Sequence, residues 1–434
     1  MTCELRGSII TCMSAFQKSR TYYLILETIL CIAVLSKSVI PLSDPLEQVR
    51  AFTRNIEFDY ITWTIDAMQV KFGQGALDID RYLTDEQKHD LVIDYIDLVI
   101  QIQTAESDLK DMYANPAIEN PDHASTALRA ELSGLYQQRE LLEQMAETII
   151  QSQLSQVIAD EGLSFLGQSI PPILYRSSPL PLALIVSPRD VIRQDADISL
   201  LPDLTLEECI DLENRVEKNL DVSALVVEVG GIGVYPTMVM QTSDLNWLME
   251  TVAHEWIHNY LFLHPLGLNY SASPELRTMN ETTASIAGKE IGRAVMARFY
   301  KELLPPPEEA TETSVTQTEE GGKTYTFNFQ HEMYLTRIIV DQLLATGKVA
   351  QAEEFMEERR LFFWENGYPI RKINQAYFAF HGAYADEPMS AAGKDPVGEA
   401  VRELRAASPS LKVFVNEMAW MSSYEDLEQV VYQK

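Results

Sequence analysis

The chain has 434 residues, which is enough for one large domain or two domains of ordinary size. Apolar residues make up 46% of the chain and charged residues 23%, a composition that excludes a wholly disordered or collagen-like protein. Acidic residues outnumber basic residues 64 to 34, and the net charge of −30 argues against nucleic acid or anionic lipid as the main partner of the body. Only one of the four cysteines, Cys209, lies beyond residue 31, which excludes a metal site built from several thiolates there.

The first 44 residues have the charge pattern of a signal peptide or an N-terminal membrane anchor. Basic residues precede an apolar stretch, residues 22–35, which suits the hydrophobic part of a signal peptide although Glu27 interrupts it. Extended over residues 22–42, the stretch has about 21 residues, enough for a single membrane anchor. The basic flank before it and the acidic body after it predict an extracytoplasmic protein, either secreted or anchored. Glu27 supports the alternative, an ordinary buried helix.

Residues 45–170 form a second region, in which the pattern is helical. Thr84 and Gln87 have the spacing of a capping box at the start of a helix. Apolar residues recur at helical spacing from residue 130 to residue 160. Because no cluster of catalytic residue types occurs here, we interpret this region as a helical scaffold or lid.

Residues 171–434 form a third region, which mixes strand and helix signals. Residues 305–322 begin with three prolines and continue with Glu, Thr and Gly, a composition that predicts a flexible loop. Helical patterns then dominate to the end of the chain. Together the regions predict an α+β fold that is predominantly helical, with a small mixed or antiparallel sheet.

The strand signals lie just before the region's most informative motif. Residues 182–186 and 225–229 are short, apolar and rich in β-branched side chains, which predicts two strands. Glycines follow, and residues 234–240 are predicted to return as the second strand of a hairpin. Because Pro236 has no N–H to donate, this strand is expected at the edge of a sheet.

The strongest functional signal is an HExxH motif, formed by His254, Glu255 and His258. In a chain of 434 residues with seven histidines, the expected number of chance occurrences of this pattern is roughly 0.01. Ser243 or Asp244 can cap a helix that runs to about His264 and is apolar on nearly every side, so the motif is expected to be buried. Four residues turn a helix by about 400°, which places both histidines on one face, where they can bind one ion. Burying them without such an ion would be costly.

Two residues are candidates for a third ligand. His264 gives the spacing HExxH-x5-H, but the chain would have to turn back, and Leu261 stands where metal sites of that spacing have glycine. Without the turn, His264 lies about 9 Å along the helix from His258. Glu281 begins a second predicted helix, residues 278–303. That helix carries a stripe of small side chains suited to close packing, formed by Ala284, Ala287, Gly288 and Ile291.

These residues resemble the gluzincin metallopeptidases, which carry HExxH on one helix and an Asn-Glu-x-x-Ala/Ser segment on the next. The resemblance covers roughly residues 225–300. It implies a gluzincin-like (zincin) catalytic domain in which His254, His258 and Glu281 bind Zn²⁺ and Glu255 is the general base. Ser285 departs from the thermolysin-like pattern, which has an aspartate at that position.

The resemblance also suggests residues for substrate binding and for stabilising the oxyanion. Gluzincins commonly use a downstream Tyr or His for the oxyanion, and His381 and Tyr384 are the candidates here. The alternative is a loop whose aromatic residues belong to the core. The predicted edge strand 234–240 lies where gluzincins bind an extended substrate. Glu228 could anchor the amine of an aminopeptidase substrate, although a solvated strand carboxylate explains it too.

The function predicted from these residues is zinc-dependent hydrolysis of peptide bonds in a peptide or protein substrate, with no nucleic-acid partner. Aminopeptidase activity is a narrower version of this prediction. The rival prediction is a non-catalytic, metal-stabilised extracytoplasmic scaffold that uses its helical region for binding. Glu255 argues against the rival, because a purely structural metal site has no use for a base beside it.

Overall fold

The computed structural model describes residues 44–77, 79–115, 117–304, 315–318, 324–386 and 391–432. Over these residues the chain is mostly helical with three small sheets, which confirms the predicted α+β, predominantly helical class. The predicted signal or anchor segment lies outside the described residues. Among the helices that are described, none has the length and apolar character needed to cross a membrane.

The chain divides into two compact units between Arg54 and Asn55. The described part of the first unit is helix α1 (Pro45–Thr53), whose first turn is capped by the carboxylate of Asp44 at 3.1 Å from Leu46 N. The second unit contains every other element described below.

The second unit begins with the predicted helical region. Its α-helices, listed in chain order and interrupted by a 3₁₀ turn at Ile79–Tyr82, are α2 (Tyr60–Leu77), α3 (Asp85–Ala114), α4 (Pro121–Ala124) and α5 (Thr126–Asp160). The predicted capping box at the start of α3 is confirmed, since Thr84 Oγ1 accepts from Gln87 N at 3.3 Å and Gln87 Oε1 accepts from Thr84 N at 2.9 Å. Helices α3 and α5 pack together through buried Val92, Ile149 and other apolar side chains.

Two three-stranded sheets and a helix follow. The first sheet has the order β3-β2-β4 and contains β2 (Leu182–Pro188), β3 (Ala196–Leu200) and β4 (Val222–Val227), with α6 (Leu206–Leu220) before β4. Strands β2 and β4 confirm the two strands predicted at residues 182–186 and 225–229, and they pair antiparallel. The second sheet has the order β1-β6-β5 and contains β1 (Tyr175–Ser177), β5 (Gly231–Ile232) and β6 (Thr237–Val239).

The prediction of an edge strand at residues 234–240 is wrong. Strand β6 is the central strand of its sheet, parallel to β1 on one side and antiparallel to β5 on the other. Pro236 precedes β6, so its missing N–H removes no hydrogen bond from the ladder, and Thr237 N donates to Leu174 O at 2.8 Å. The edge next to the HExxH helix is β5 instead.

Two long helices form the centre of the second unit. Helix α7 (Leu245–Leu261) carries the HExxH motif and is capped by Asp244, which accepts from Trp247 N at 3.0 Å. A short helix, α8 (Pro265–Leu268), leads to α9 (Pro274–Phe299). The predicted small-residue stripe of α9 is buried against α7, and a Cβ on Gly288 would lie 2.9 Å from His254 Cβ. Only glycine therefore permits this approach of the two helices.

The remaining described elements are helices, apart from a hairpin. The predicted flexible loop 305–322 lies mostly outside the described residues, and its described part forms β7 (Val315–Thr318), paired with β8 (Thr324–Phe327). The helices that follow are α10 (Phe329–Ala345), α11 (Val349–Glu365), α12 (Gln375–His381), α13 (Pro396–Ala407), α14 (Leu411–Ala419) and α15 (Tyr424–Tyr432). The last three of these complete the apolar core around α5, α7 and α9.

Candidate metal centre

Helices α7 and α9 bring three ligand-type side chains to one point. His254 and His258 lie one turn apart on α7, and their Nε2 atoms are 3.0 Å apart. Glu281 lies on the second turn of α9, with Oε2 3.4 Å from His258 Nε2 and 3.7 Å from His254 Nε2. The prediction that these three residues form a group able to hold a metal ion is confirmed.

The donor set and its spacing fit Zn²⁺. Glu281 Oε2 is shut off from solvent and forms no hydrogen bond, although it lies close to both imidazoles. A tetrahedral zinc ion with ligands at about 2.0–2.1 Å separates its ligand atoms by about 3.3–3.4 Å. The three observed separations, 3.0, 3.4 and 3.7 Å, lie around this value. An ion would therefore satisfy a buried carboxylate oxygen that accepts no hydrogen bond from the described residues.

A buried amide orients His258. Asn280, which is 1% exposed, places its Oδ1 2.7 Å from His258 Nδ1. An amide oxygen only accepts, so Nδ1 must carry the proton in this contact. In the neutral imidazole this leaves the lone pair on Nε2, the atom directed at the other two ligands.

A chain of hydrogen bonds orients Glu281. Tyr270 Oη donates to Glu281 Oε1 at 2.5 Å, and Arg277 Nε donates to Tyr270 Oη at 3.3 Å. Arg277 Nη1 also donates to Ala379 O at 3.0 Å, which ties this chain to helix α12. Because Oε1 is held by Tyr270, Oε2 is left free for the centre.

The charges in the centre compensate one another. Burial would raise the pKa of Glu281, but the positive charge of protonated His258 holds that pKa well below its usual value. Burial alone would lower the pKa of His258. The Glu281 carboxylate outweighs this effect and raises the pKa of His258 to about 9. Without a metal, a proton on His258 thus balances Glu281, and a divalent cation can take over that role.

Glu255 lies beside the ligands under a glycine-rich loop. Burial raises the pKa of its carboxyl group. A Cβ on Gly231 would lie 2.7 Å from Glu255 Oε1, and one on Gly233 would lie 3.3 Å from Glu255 Oε2 and 3.1 Å from His258 Cβ. The glycines therefore let the backbone of β5 and the residues after it cover the HExxH motif closely.

The centre opens into two adjoining clefts. The larger, about 510 Å³, is lined by all three ligand residues and by Glu255, Tyr384 and the backbone around β5. The smaller, about 320 Å³, shares His254, Glu255 and Tyr384 with the first and extends past Glu228 to Lys289. A substrate can therefore approach the ligands from either side of His254.

The two candidates for the oxyanion differ in position. Tyr384 lines both clefts, and its ring centroid lies 6.2 Å from that of His254. His381 lines neither cleft, and its ring packs 4.3 Å from that of Tyr377. Burial lowers the pKa of His381 to about 4, so its imidazole is neutral at neutral pH.

The alternative third ligand is not part of this group. His264 follows the end of α7, and its Nδ1 lies 2.9 Å from Tyr260 O. Its ring packs between Tyr260 and Trp420, with centroid distances of 4.6 and 5.5 Å. The structure brings Glu281, and not His264, to the two motif histidines. Glu228 is exposed on the wall of the smaller cleft.

Sequence reasoning missed the residues that orient the ligands. Arg277 lies one helical turn before Glu281, so its spacing could have suggested a contact with that carboxylate. Asn280 directly precedes Glu281, but nothing in the sequence shows that its amide reaches His258. Tyr270 comes from the connection between α8 and α9, and no periodic signal marks it.

No protein-family model, curated protein or solved structure matches this chain. The function must therefore be inferred from the geometry of the site. That geometry combines a buried set of two imidazoles and one carboxylate, a second carboxylate beside it, and open clefts on both sides. Such an arrangement is suited to metal-assisted hydrolysis.

Proposed function

We propose that this chain is a zinc-dependent metallopeptidase related to the gluzincins. The observation that supports the proposal most strongly is that Glu281 Oε2 meets the Nε2 atoms of His254 and His258 inside a cleft that also contains Glu255. His254, His258 and Glu281 would hold the ion. Bound there, Zn²⁺ would polarise the scissile carbonyl and lower the pKa of a water molecule.

Glu255 is the proposed general base. It follows the ligand His254 directly and lines both clefts. Because burial raises the pKa of its carboxyl group, Glu255 accepts a proton more readily than an exposed glutamate. It would take the proton of the attacking water and deliver it to the leaving amine.

Tyr384 is the proposed donor to the oxyanion. The negative charge of Glu281, with burial, raises the pKa of Tyr384 well above its usual value. The phenol therefore keeps its proton at neutral pH and can donate a hydrogen bond to a developing negative charge. His381 is the less suitable candidate because it lines neither cleft.

The proposed substrate is an extended peptide that lies along β5. This strand is at a sheet edge, and Gly231 to Val234 line the larger cleft. Main-chain groups of an edge strand can pair with a substrate backbone without reading its side chains. In an aminopeptidase mode, Glu228 on the smaller cleft would bind the substrate amine, and peptides with acetylated N-termini would then resist cleavage.

The test is digestion of a peptide library by the wild-type protein and by Glu255→Gln, with and without a chelator. We expect the wild-type protein to cleave peptides, the chelator to abolish cleavage, and the variant to lose cleavage while still binding zinc. Equal cleavage by the variant and the wild type would overturn the role of Glu255. Zinc binding without cleavage of any library member by the wild type would favour the scaffold.

We also propose that the body acts outside the cytoplasm, either secreted or held by a single N-terminal anchor. The support is the apolar stretch at residues 22–42 between a basic flank and an acidic body. A reporter that is active only after export, fused after residue 44, should be active. An inactive reporter retained in the cytoplasm would contradict this location.

A further inference from the structure

A second cavity, of about 1390 Å³, shares no lining residue with the two clefts of the metal centre. Helices α2, α3 and α5 form one side of it, and β1 with the segment that leads into α7 forms the other. Aromatic and aliphatic side chains make up much of the wall, among them Trp63, Leu109, Tyr113, Leu132 and Tyr136.

Arg176 stands on this wall without a partner. It is half-buried on β1, and its guanidinium group makes no hydrogen bond or ion pair with another described residue. Its Nη1 atom is also shut off from solvent. A guanidinium nitrogen that neither water nor protein satisfies costs free energy, which an incoming acceptor would recover.

Three further donors on the same wall are also incompletely satisfied. Ser177 Oγ, Ser178 Oγ and Arg139 Nε are buried and have no hydrogen-bond partner. The rest of Arg139 is held in place, since its Nη1 donates to Gln241 Oε1 at 3.0 Å and its guanidinium lies 5.3 Å from the Tyr136 ring centroid. Four unsatisfied donors thus occur around one cavity.

The acidic residues of the wall do not pair with Arg176. Asp122 already binds Arg129 at 2.7 Å, and Glu143 Oε1 accepts a hydrogen bond from Tyr95 Oη at 3.4 Å. Asp66 and Glu140 are the other carboxylates of the wall, and neither forms an ion pair with Arg176. Because the whole chain carries a net charge of −30, long-range attraction would not bring anions here, and any affinity must come from these local donors.

We propose that this cavity binds an organic anion, a carboxylate or phosphate attached to an apolar body. Arg176 and Arg139 would supply charged donors, Ser178 would supply a neutral donor, and the aromatic wall would pack against the body of the ligand. The planar guanidinium matches both kinds of anion. Arg176 Nη1 and Ser178 Oγ are shut off from solvent as they stand. Changes of side-chain torsion would turn both atoms toward the cavity that their side chains already line.

Calorimetric titration of the full chain with phenylacetate and with phenyl phosphate tests the proposal, with sodium chloride at equal ionic strength as the salt control. We expect saturable binding of at least one of the two compounds, and the tighter one identifies the anion. Arg176→Gln should weaken that binding by about tenfold or more. The absence of saturable binding of both compounds by the wild-type protein would overturn the proposal.

Arg129→Gln is the matched control, because Arg129 lies on the same wall but its guanidinium is already paired with Asp122. We expect it to change the affinity by less than about twofold, the size of a surface charge effect. Equal weakening by both variants would show a general effect of charge and would overturn the site. Because the titration needs neither metal nor peptide cleavage, its result is independent of the proposed peptidase function.

Discussion

Replacing Tyr270 with Phe should weaken zinc binding although Tyr270 is not one of the ligands. In the wild-type protein Tyr270 Oη donates to Glu281 Oε1 at 2.5 Å, and Glu281 is 5% exposed. The variant removes the hydroxyl, so Oε1 keeps its negative charge in a buried place but loses its donor. A hydrogen bond to a buried charged group is worth about 1.5–3 kcal/mol, so the Kd for zinc should rise by about 10- to 100-fold. Competition with a chelating indicator measures this Kd directly.

Tyr260→Phe provides the matched control for this prediction. Tyr260 lies on α7 two residues beyond His258, and its hydroxyl donates to Asn416 Oδ1 at 2.7 Å, which is not part of the centre. This variant should lower stability without changing the zinc Kd by more than about twofold, because no ligand loses a partner. If Tyr270→Phe also left the zinc Kd unchanged, the role assigned to Tyr270 in orienting Glu281 would be refuted.

Three further predictions concern Gly231, Tyr384 and a buried ion pair between Lys71 on α2 and Glu147 on α5. Gly231→Ala places a Cβ 2.7 Å from Glu255 Oε1, so peptide cleavage should fall by at least about tenfold in kcat while zinc content is retained. Tyr384→Phe should lower kcat by about 100-fold with little change in KM, as expected for a donor used in the transition state. In the wild-type protein Lys71 Nζ lies 2.5 Å from Glu147 Oε2. Lys71→Met leaves this buried carboxylate without its cation and should lower the free energy of unfolding, measured in urea, by about 3–5 kcal/mol.

Each of these predictions has a control in the same chain. Gly134→Ala adds a Cβ with no atom within 4 Å and should leave kcat unchanged. His381→Ala should lower kcat less than Tyr384→Phe, and the reverse order would exchange their roles. Arg360→Met removes the partner of Glu357, which is an exposed carboxylate, and should cost less than about 1 kcal/mol. If Lys71→Met cost no more than this, the buried ion pair would not have the predicted importance.

Local signals in the sequence were sufficient for much of the fold and for the two histidines of the ligand group, whereas Glu281 was implied by the resemblance to the gluzincins. The capping box at Thr84 depends only on residues of one turn, and the helical spacing of His254 and His258 fixes their common face. The small side chains of α9 predicted its close packing, and Gly288 shows why they are needed. These features could be predicted because each depends on neighbours along the chain.

Features that depend on distant parts of the chain could not be predicted in this way. Strand β6 was placed at an edge because Pro236 was counted within it, whereas pairing with the distant β1 makes it central. The choice between His381 and Tyr384, three residues apart, depends on where α12 ends and which side faces the cleft. The bond from Tyr270 to Glu281 depends on how the chain returns from α8 to α9.

Elemental analysis of the purified protein and its variants, after equilibration with zinc, tests whether His254, His258 and Glu281 hold one zinc ion. We expect one zinc per chain in the wild type, in Glu255→Gln and in His264→Ala, and loss of zinc in Glu281→Ala. The folded state of each variant is checked by circular dichroism. Retention of zinc by Glu281→Ala, or an empty site in His264→Ala alone, would contradict the account.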